Sequence, residues 1–205
     1  AMGLNEFAGY LAVGLVALAS GYLAEAYGIT PYPFYLGIFI SVFGLFFTFF
    51  FIRVTLKHVE LGWEEKQESE LKNVFWETTL KDKTLSSITQ AGLVNNLNDG
   101  MIWGLLPVLL ISLAFDSSEI GWITAIYPAI WGIGQLGTGK MADVFSKKKM
   151  LVGGMFGQGI AILFIPFTTG FYELIGLMGL LGIGTAVVYP TFLAAIAEPT
   201  TPIKR

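Results

Sequence analysis

The placement of the basic residues constrains this chain more than any other feature. All twelve lysines and arginines fall within Arg53–Lys83, Lys140–Lys149 or the closing pair Lys204–Arg205. The tracts 1–52, 84–139 and 150–203 contain none. Each is more than twice the roughly 20 apolar residues that one membrane-crossing helix needs. Each tract therefore holds two spans and a turn. Turn-forming residues stand where that division requires them, at Gly28–Pro33, Asp116–Glu119 and Thr168–Glu173, and none of these turns is basic. The expected architecture is an all-α integral membrane protein of six transmembrane helices in three hairpins. The predicted spans run from about Leu4 to Ala26, Phe34 to Ile52, Leu85 to Ala114, Ile120 to Val144, Met150 to Phe167 and Phe171 to Ala197. The apolar runs are too long, and alternate too little, for barrel strands.

Composition removes the other classes. Hydrophobic residues make up 54% and charged residues 13%, against about 25% charged in soluble domains. A net charge of −3 offers no basic surface to nucleic acid. The absence of cysteine, with His58 as the single histidine, excludes thiolate chemistry and a histidine metal cluster within the chain. No Walker loop is present, so an ATP-driven pump is not expected, nor is any cofactor. Excess lysine and arginine mark the cytoplasmic side. The loops 53–84 and 140–149 are accordingly expected in the cytoplasm, with the protein multi-pass in the cell membrane and the lipid bilayer as its first partner. Within the first loop, Leu71, Val74, Phe75 and Trp76 suit either a short interfacial helix or an ordinary linker. The chain opens on Ala1 and closes in an apparent loop at Pro202–Arg205, which suggests a missing remainder at both ends. The six helices are not expected to transport alone.

Glycine occurs 25 times, mostly inside the spans, with Gly14, Gly21, Gly132, Gly134, Gly139, Gly153, Gly157, Gly182 and Gly184 as examples. In lipid, such residues let helix backbones approach closely. Pro107, Pro128, Pro166 and Pro190 are each expected to bend a helix by removing a backbone hydrogen bond.

The end of the fourth span reads Gly139-Lys140-Met141-Ala142-Asp143-Val144-Phe145-Ser146-Lys147-Lys148. It resembles the second-half copy of the signature loop of the major facilitator superfamily, G-x-x-x-D-R-x-G-R-R. Gly139, Asp143, Lys147 and Lys148 match, whereas Val144 and Ser146 depart from the pattern. The tracts Asn95–Gly100 and Tyr189–Ala194 are also similar to prokaryotic permeases of this group. The resemblance implies a fragment covering helices five to ten of twelve. Residues 1–52 would then close the N-terminal half, 53–84 would form the central cytoplasmic loop, and 85–205 would open the C-terminal half. It also implies a conformational-switch role for the loop of Gly139, Asp143, Lys147 and Lys148. The antiporter signature ending in Gly-Pro is absent, since Tyr22 follows Gly21.

Asp99 stands near the centre of the third span. A carboxylate at bilayer midplane costs at least about 2.5–3.5 kcal/mol, so it needs a polar environment and a purpose. At 100° per residue, Asn95, Asn96, Asn98 and Asp99 share one arc, with Trp103 one turn further on. Leu93, Val94, Leu97 and Met101 lie opposite. The polar arc either lines a wet cavity or bonds across the bundle as helix glue. A buried Asp99 can exchange a proton or attract a cationic solute. Gln135 and Gln158 are secondary candidates, each also explained by an interhelical hydrogen bond. Glu6 and Glu25 fit headgroup exposure. The leading function is transport of a small solute by a secondary, proton-coupled permease working by alternating access. A membrane-embedded enzyme and a non-transporting receptor or scaffold are the competing classes. The enzyme lacks paired carboxylates, a nucleophile or metal ligands.

Overall fold

The computed structural model describes residues 2–51 and 76–197. It contains six long helices: α1 (Met2–Tyr27), α2 (Tyr32–Phe51), α3 (Lys83–Ser112), α4 (Ser117–Val144), α5 (Lys147–Phe164) and α6 (Phe171–Ala197). A π-helical turn, Glu77–Lys81, precedes α3, and a 3-10 turn, Ile165–Phe167, closes α5. There is no strand among the described residues. The stretch Arg53–Phe75, with His58 and most of the expected interfacial segment, lies outside them, as does Glu198–Arg205.

By length and composition, the segments Leu4–Tyr27, Tyr32–Phe51, Lys147–Phe167 and Phe171–Ile196 can each cross a membrane. The other two helices are the longest of the C-terminal four, but their polar residues keep them below that apolar standard. The polar residues of α3, Asn95, Asn96, Asn98 and Asp99, are those that single it out in the sequence. The bundle is membrane-embedded and all-helical.

Helix ends follow from local chemistry. Asp82 caps α3, its carboxylate accepting from the backbone N–H groups of Thr84 and Leu85 at 2.9 Å each. Asp116 and Glu119 form a reciprocal capping box at the start of α4. The turn before it places Ala114 at φ 62°, with Phe115 N–H bonded back to the Leu110 carbonyl. Pro166 sits in the 3-10 turn and ends α5 where a mid-helix bend was expected. Pro107, Pro128 and Pro190 lie inside their helices.

Two seams hold the bundle. The first joins α1 to α4 in antiparallel register. A Cβ placed on Gly21 would stand 2.7 Å from both Gly121 Cα and the Ser117 carbonyl, and one on Gly14 would stand 2.9 Å from the Ala125 carbonyl. Gly132 is somewhat less crowded, its Cβ standing 3.1 Å from Leu11 N, the Phe7 carbonyl and Tyr10 Cβ. The second seam joins α6 to α4 and α5. There Gly182 meets the Tyr127 carbonyl and Gly184 meets the Gly154 carbonyl. These contacts are the close approaches that small residues permit. Other helix glycines, including Gly9, Gly137, Gly139 and Gly153, have open space where a Cβ would go. The expected close contact at Gly139 is thus not made among the described residues. The apolar core is built from α3, α4, α5 and α6, around Leu110, Ile123, Leu174, Met178 and Leu181. α2 contributes no buried residue and packs on α1, presenting a phenylalanine-rich surface.

The three hairpin turns gather at one end of the bundle. The α4–α5 turn, with Lys147, Lys148 and Lys149, lies at the other.

Candidate polar site between the helices

The centre of α3 meets the other helices through one connected set of side chains. Gln158, on α5 and 1% exposed, is its hub. Its Nε2 donates to Asn95 Oδ1 at 2.9 Å and to Thr185 Oγ1 on α6 at 3.1 Å. Its Oε1 accepts from Asn98 Nδ2 at 3.3 Å. The Tyr127 hydroxyl, on α4, donates to Asp99 Oδ1 and lies 3.3 Å from Thr185 Oγ1. Four helices therefore contribute to a single chain of hydrogen bonds, from Asn95 and Asn98 through Gln158, Thr185 and Tyr127 to Asp99.

The predicted arc on α3 is divided by this packing. Asn95 is buried, and Asn98 and Asp99 are partly buried; all three are in the network. The line of α3 facing the bundle runs through Asn95, Asp99, Ile102 and Leu106. Asn96 and Trp103 stand roughly 70–90° off that line, and both are exposed. They do not join the network. Each instead borders a cavity.

A cavity of about 390 Å³ opens between α3 and α6 on the lysine side of Asp99, lined in part by Asn95, Asn96, Tyr189 and Phe192. A second, of about 260 Å³, lies on the hairpin side between α1, α3 and α4, lined in part by Val13, Trp103, Leu106, Thr124 and Tyr127. The Asp99–Tyr127 pair stands between the residues that line the two. The first cavity offers amide groups. The second is almost wholly apolar, and its two hydroxyls are already committed, Thr124 to the Ile120 carbonyl and Tyr127 to Asp99.

Gln135 is 3% exposed and its Nε2 has no hydrogen-bond partner among the described residues. Gln158, by contrast, is fully engaged. The loop residues stand apart from the site: Gly139 and Lys148 are exposed, Lys147 is half-buried, and Asp143 lies in the last turn of α4.

Tyr127, Thr185 and Glu25 escape a reading of the sequence. Tyr127 precedes Pro128 and reads as part of a kink; Thr185 is one hydroxyl in an apolar helix. Glu25 does not serve only the headgroups: its Oε2 accepts from the backbone N–H of Ser117, 3.0 Å away at the start of α4. One turn away Trp122 Nε1 donates to the Tyr22 hydroxyl at 2.7 Å. A signal was available in retrospect. Glu25 and Tyr22 lie i, i+3 on the face of α1 that carries Gly21.

No cluster of metal-binding side chains occurs among the described residues. At the hairpin end, the Glu119 N–H and then the Ser118 hydroxyl hold the Asp116 carboxyl below its ordinary range.

An apolar helical bundle that buries a carboxylate in a multi-helix polar network, between two cavities, is the anatomy of a membrane transport protein. The family model of the Major Facilitator Superfamily matches residues 88–205, from the first turns of α3 to the end of the sequence. The chain belongs to that superfamily of transporters. No curated protein and no solved structure matches it significantly.

Proposed function

We propose that this chain forms part of a secondary permease that moves a small solute by alternating access, coupled to a proton carried by Asp99. The observation that carries the reading is the position of the Asp99–Tyr127 pair within the four-helix network, between a mainly apolar cavity that Asn95 and Asn96 border and a second that is almost wholly apolar. A carboxylate there can be reached from one side of the membrane at a time, provided the helices around it shift. Asn95 and Asn96 border the solute cavity, Asn98 belongs to the pathway through its bond to Gln158, Trp103 walls the apolar cavity, and Gln135 belongs to the same pathway. The protein is a transporter rather than an enzyme.

The charge pattern supports cytoplasmic placement of the lysine end in the cell membrane. The direction of all six helices agrees with the assignment of helices five to ten of twelve. On that assignment α1 and α2 close the N-terminal half, residues 53–84 are the central loop, and α3 to α6 open the C-terminal half. The α1–α4 seam is then a contact between halves, and the Gly139, Asp143, Lys147 and Lys148 loop acts as the cytoplasmic switch.

The test uses proteoliposomes and a panel of radiolabelled sugars, amino acids, organic acids and organic amines under an imposed pH gradient. At least one solute should accumulate with the completed permease, this chain joined to the remaining helices of the twelve. Asp99→Asn should abolish accumulation while leaving passive equilibration. Undiminished pH-driven accumulation in Asp99→Asn would refute the proton role. Asn95→Cys and Asn96→Cys, in a chain with no native cysteine, should react with water-soluble thiol reagents; inert thiols would count against the cavity.

A further inference from the structure

We propose that the buried polar edge of α4 from Trp131 to Thr138 holds a file of water that carries protons between Asp99 and the lysine end of the bundle. This rests on the proton-coupled reading above and adds the route the proton takes.

Trp131 Nε1, Gln135 Nε2 and Thr138 Oγ1 are buried and lack hydrogen-bond partners among the described residues. Their residues are 4%, 3% and 7% exposed. An orphaned buried polar group is rare, because leaving it unpaired forfeits its hydration with nothing in return. Three on one helix call for a common occupant. They follow one another at i, i+4 and i+7, so they share a face. Tyr127, which donates to Asp99, is the next residue up that face. Below Thr138, Gly139 stands roughly 70° to one side of that face, exposed and with open space beside it. The edge therefore leads from the Asp99 network to the lysine end. From Trp131 to Thr138 it rises about 10 Å, the length of three or four hydrogen-bonded waters.

The chemistry of the three groups selects the occupant. Two are donors only, and the third both donates and accepts. They carry no charge that would retain an ion. Helix glue needs partners on neighbouring helices, as Gln158 has on two; these three groups have none among the described residues. A water accepts from an indole or amide N–H and still has two hydrogens to donate onward. Acceptors are near: Trp131 stacks on Tyr10 of α1, with ring centroids 3.5 Å apart, and meets Tyr189 of α6 edge-on at 5.7 Å. Glu6, Tyr189 and Asp99 are all within electrostatic reach of Tyr10. The titratable groups around the file are thus Tyr10 on α1, with Glu6 near it, Tyr189 on α6, Tyr127 on α4 itself and its partner Asp99 on α3.

In the release step the Asp99 O–H bond breaks and its proton passes to the nearest water. Each water hands one proton to the next, and the last gives one to bulk solvent. The carboxylate left behind keeps the Tyr127 hydroxyl as donor. Uptake reverses the sequence.

Two measurements decide the matter. Pulsed radiolysis of the unaltered protein in nanodiscs makes hydroxyl radicals from bound water. Trp131 should be oxidised at a rate comparable with Trp122, which is 40% exposed, despite its own burial. Protection of Trp131 to the level of Met178, which is 0% exposed, would overturn the file. The second measurement follows hydrogen–deuterium exchange at the Asp99 carboxyl by infrared difference against Asp99→Asn. The double variant Gln135→Leu/Thr138→Val should slow exchange about tenfold; an unchanged rate overturns the relay. If no Asp99 carboxyl band exists at any pH where the protein is folded, the proton-coupled reading falls, and the relay with it. An exchanging Asp99 beside a dry Trp131 removes the file alone.

Discussion

The α1–α4 seam and the flank of α3 are built on opposite plans. Along the seam, glycine brings backbone against backbone, and the hairpin end is tied by Glu25 to Ser117 and by Tyr22 to Trp122. The contact between α1 and α4 is the most extensive in the bundle. α3 touches α4 and α6 only sparingly. It is held by hydrogen bonds through Asn95, Asn98 and Asp99, with a cavity on either side of them. Backbone packing is stiff, because any separation loses many contacts at once. Side-chain hydrogen bonds between membrane helices average only about 0.6 kcal/mol each, so they can be exchanged at small cost. A carrier needs both: a contact that keeps its register and a polar joint that can change partners.

The largest effect should come from wedging the seam. In Gly21→Leu the new Cβ would stand 2.7 Å from the α4 backbone at Gly121 and Ser117. Neither contact is a flexible side chain, so the helices must part, at about 3 kcal/mol. Thermal unfolding in detergent should show a large loss. Gly9→Ala, on the same helix but with nothing within 4 Å of its new Cβ, should melt like the unaltered protein. If both variants behave alike, the seam is not the rigid element.

Next in size is the contrast between two glutamines. Gln158→Leu removes three side-chain hydrogen bonds, worth about 2 kcal/mol at the average for membrane helices. It also leaves Asn95 and Thr185 buried with fewer partners. Gln135→Leu removes a group whose amide nitrogen makes no hydrogen bond among the described residues, so its stability should stay within about 0.5 kcal/mol. Equal melting losses would mean that the joint is not held as described.

The same contrast explains what the sequence reveals. Helix ends were legible because charge, turn residues and apolar length are local properties. The predicted boundaries fall within a few residues of those observed, and α6 agrees at both ends. Asp99 was legible because a lone carboxylate amid apolar residues needs a reason whatever surrounds it. Its partners were hidden for the complementary reason. Tyr127 and Thr185 carry ordinary hydroxyls, and only the register of α4 and α6 against α3 turns them into ligands of the network. Glu25 is the same case, since its role depends on α1 lying antiparallel to α4. Asn96 and Trp103 show what periodicity alone leaves open. Helical periodicity placed them on the polar arc, yet the width of the buried face is fixed by neighbouring helices and leaves both at its margin.

The smallest effect lies where the seam meets water. Asp116 accepts from the Glu119 N–H and from the Ser118 hydroxyl, at 2.8 Å each. These bonds favour its charged form, so the folded carboxyl titrates below the unfolded one. A depressed carboxyl contributes stability above its unfolded value, about 3.9 for aspartate. That contribution is lost as pH falls through the lowered folded value. Acidification should therefore fray the first turn of α4, seen as faster hydrogen exchange at Glu119, before the middle of the seam responds. Asp116→Asn keeps a capping oxygen without the titration, so this part of the acid response should vanish. The Glu25 carboxylate also accepts from the neighbouring Ser117 N–H across the seam, so Glu25→Leu should speed hydrogen exchange at Ser117. An acid response that persists undiminished in Asp116→Asn would show that the first turn of α4 is not held by the charged form of this carboxyl.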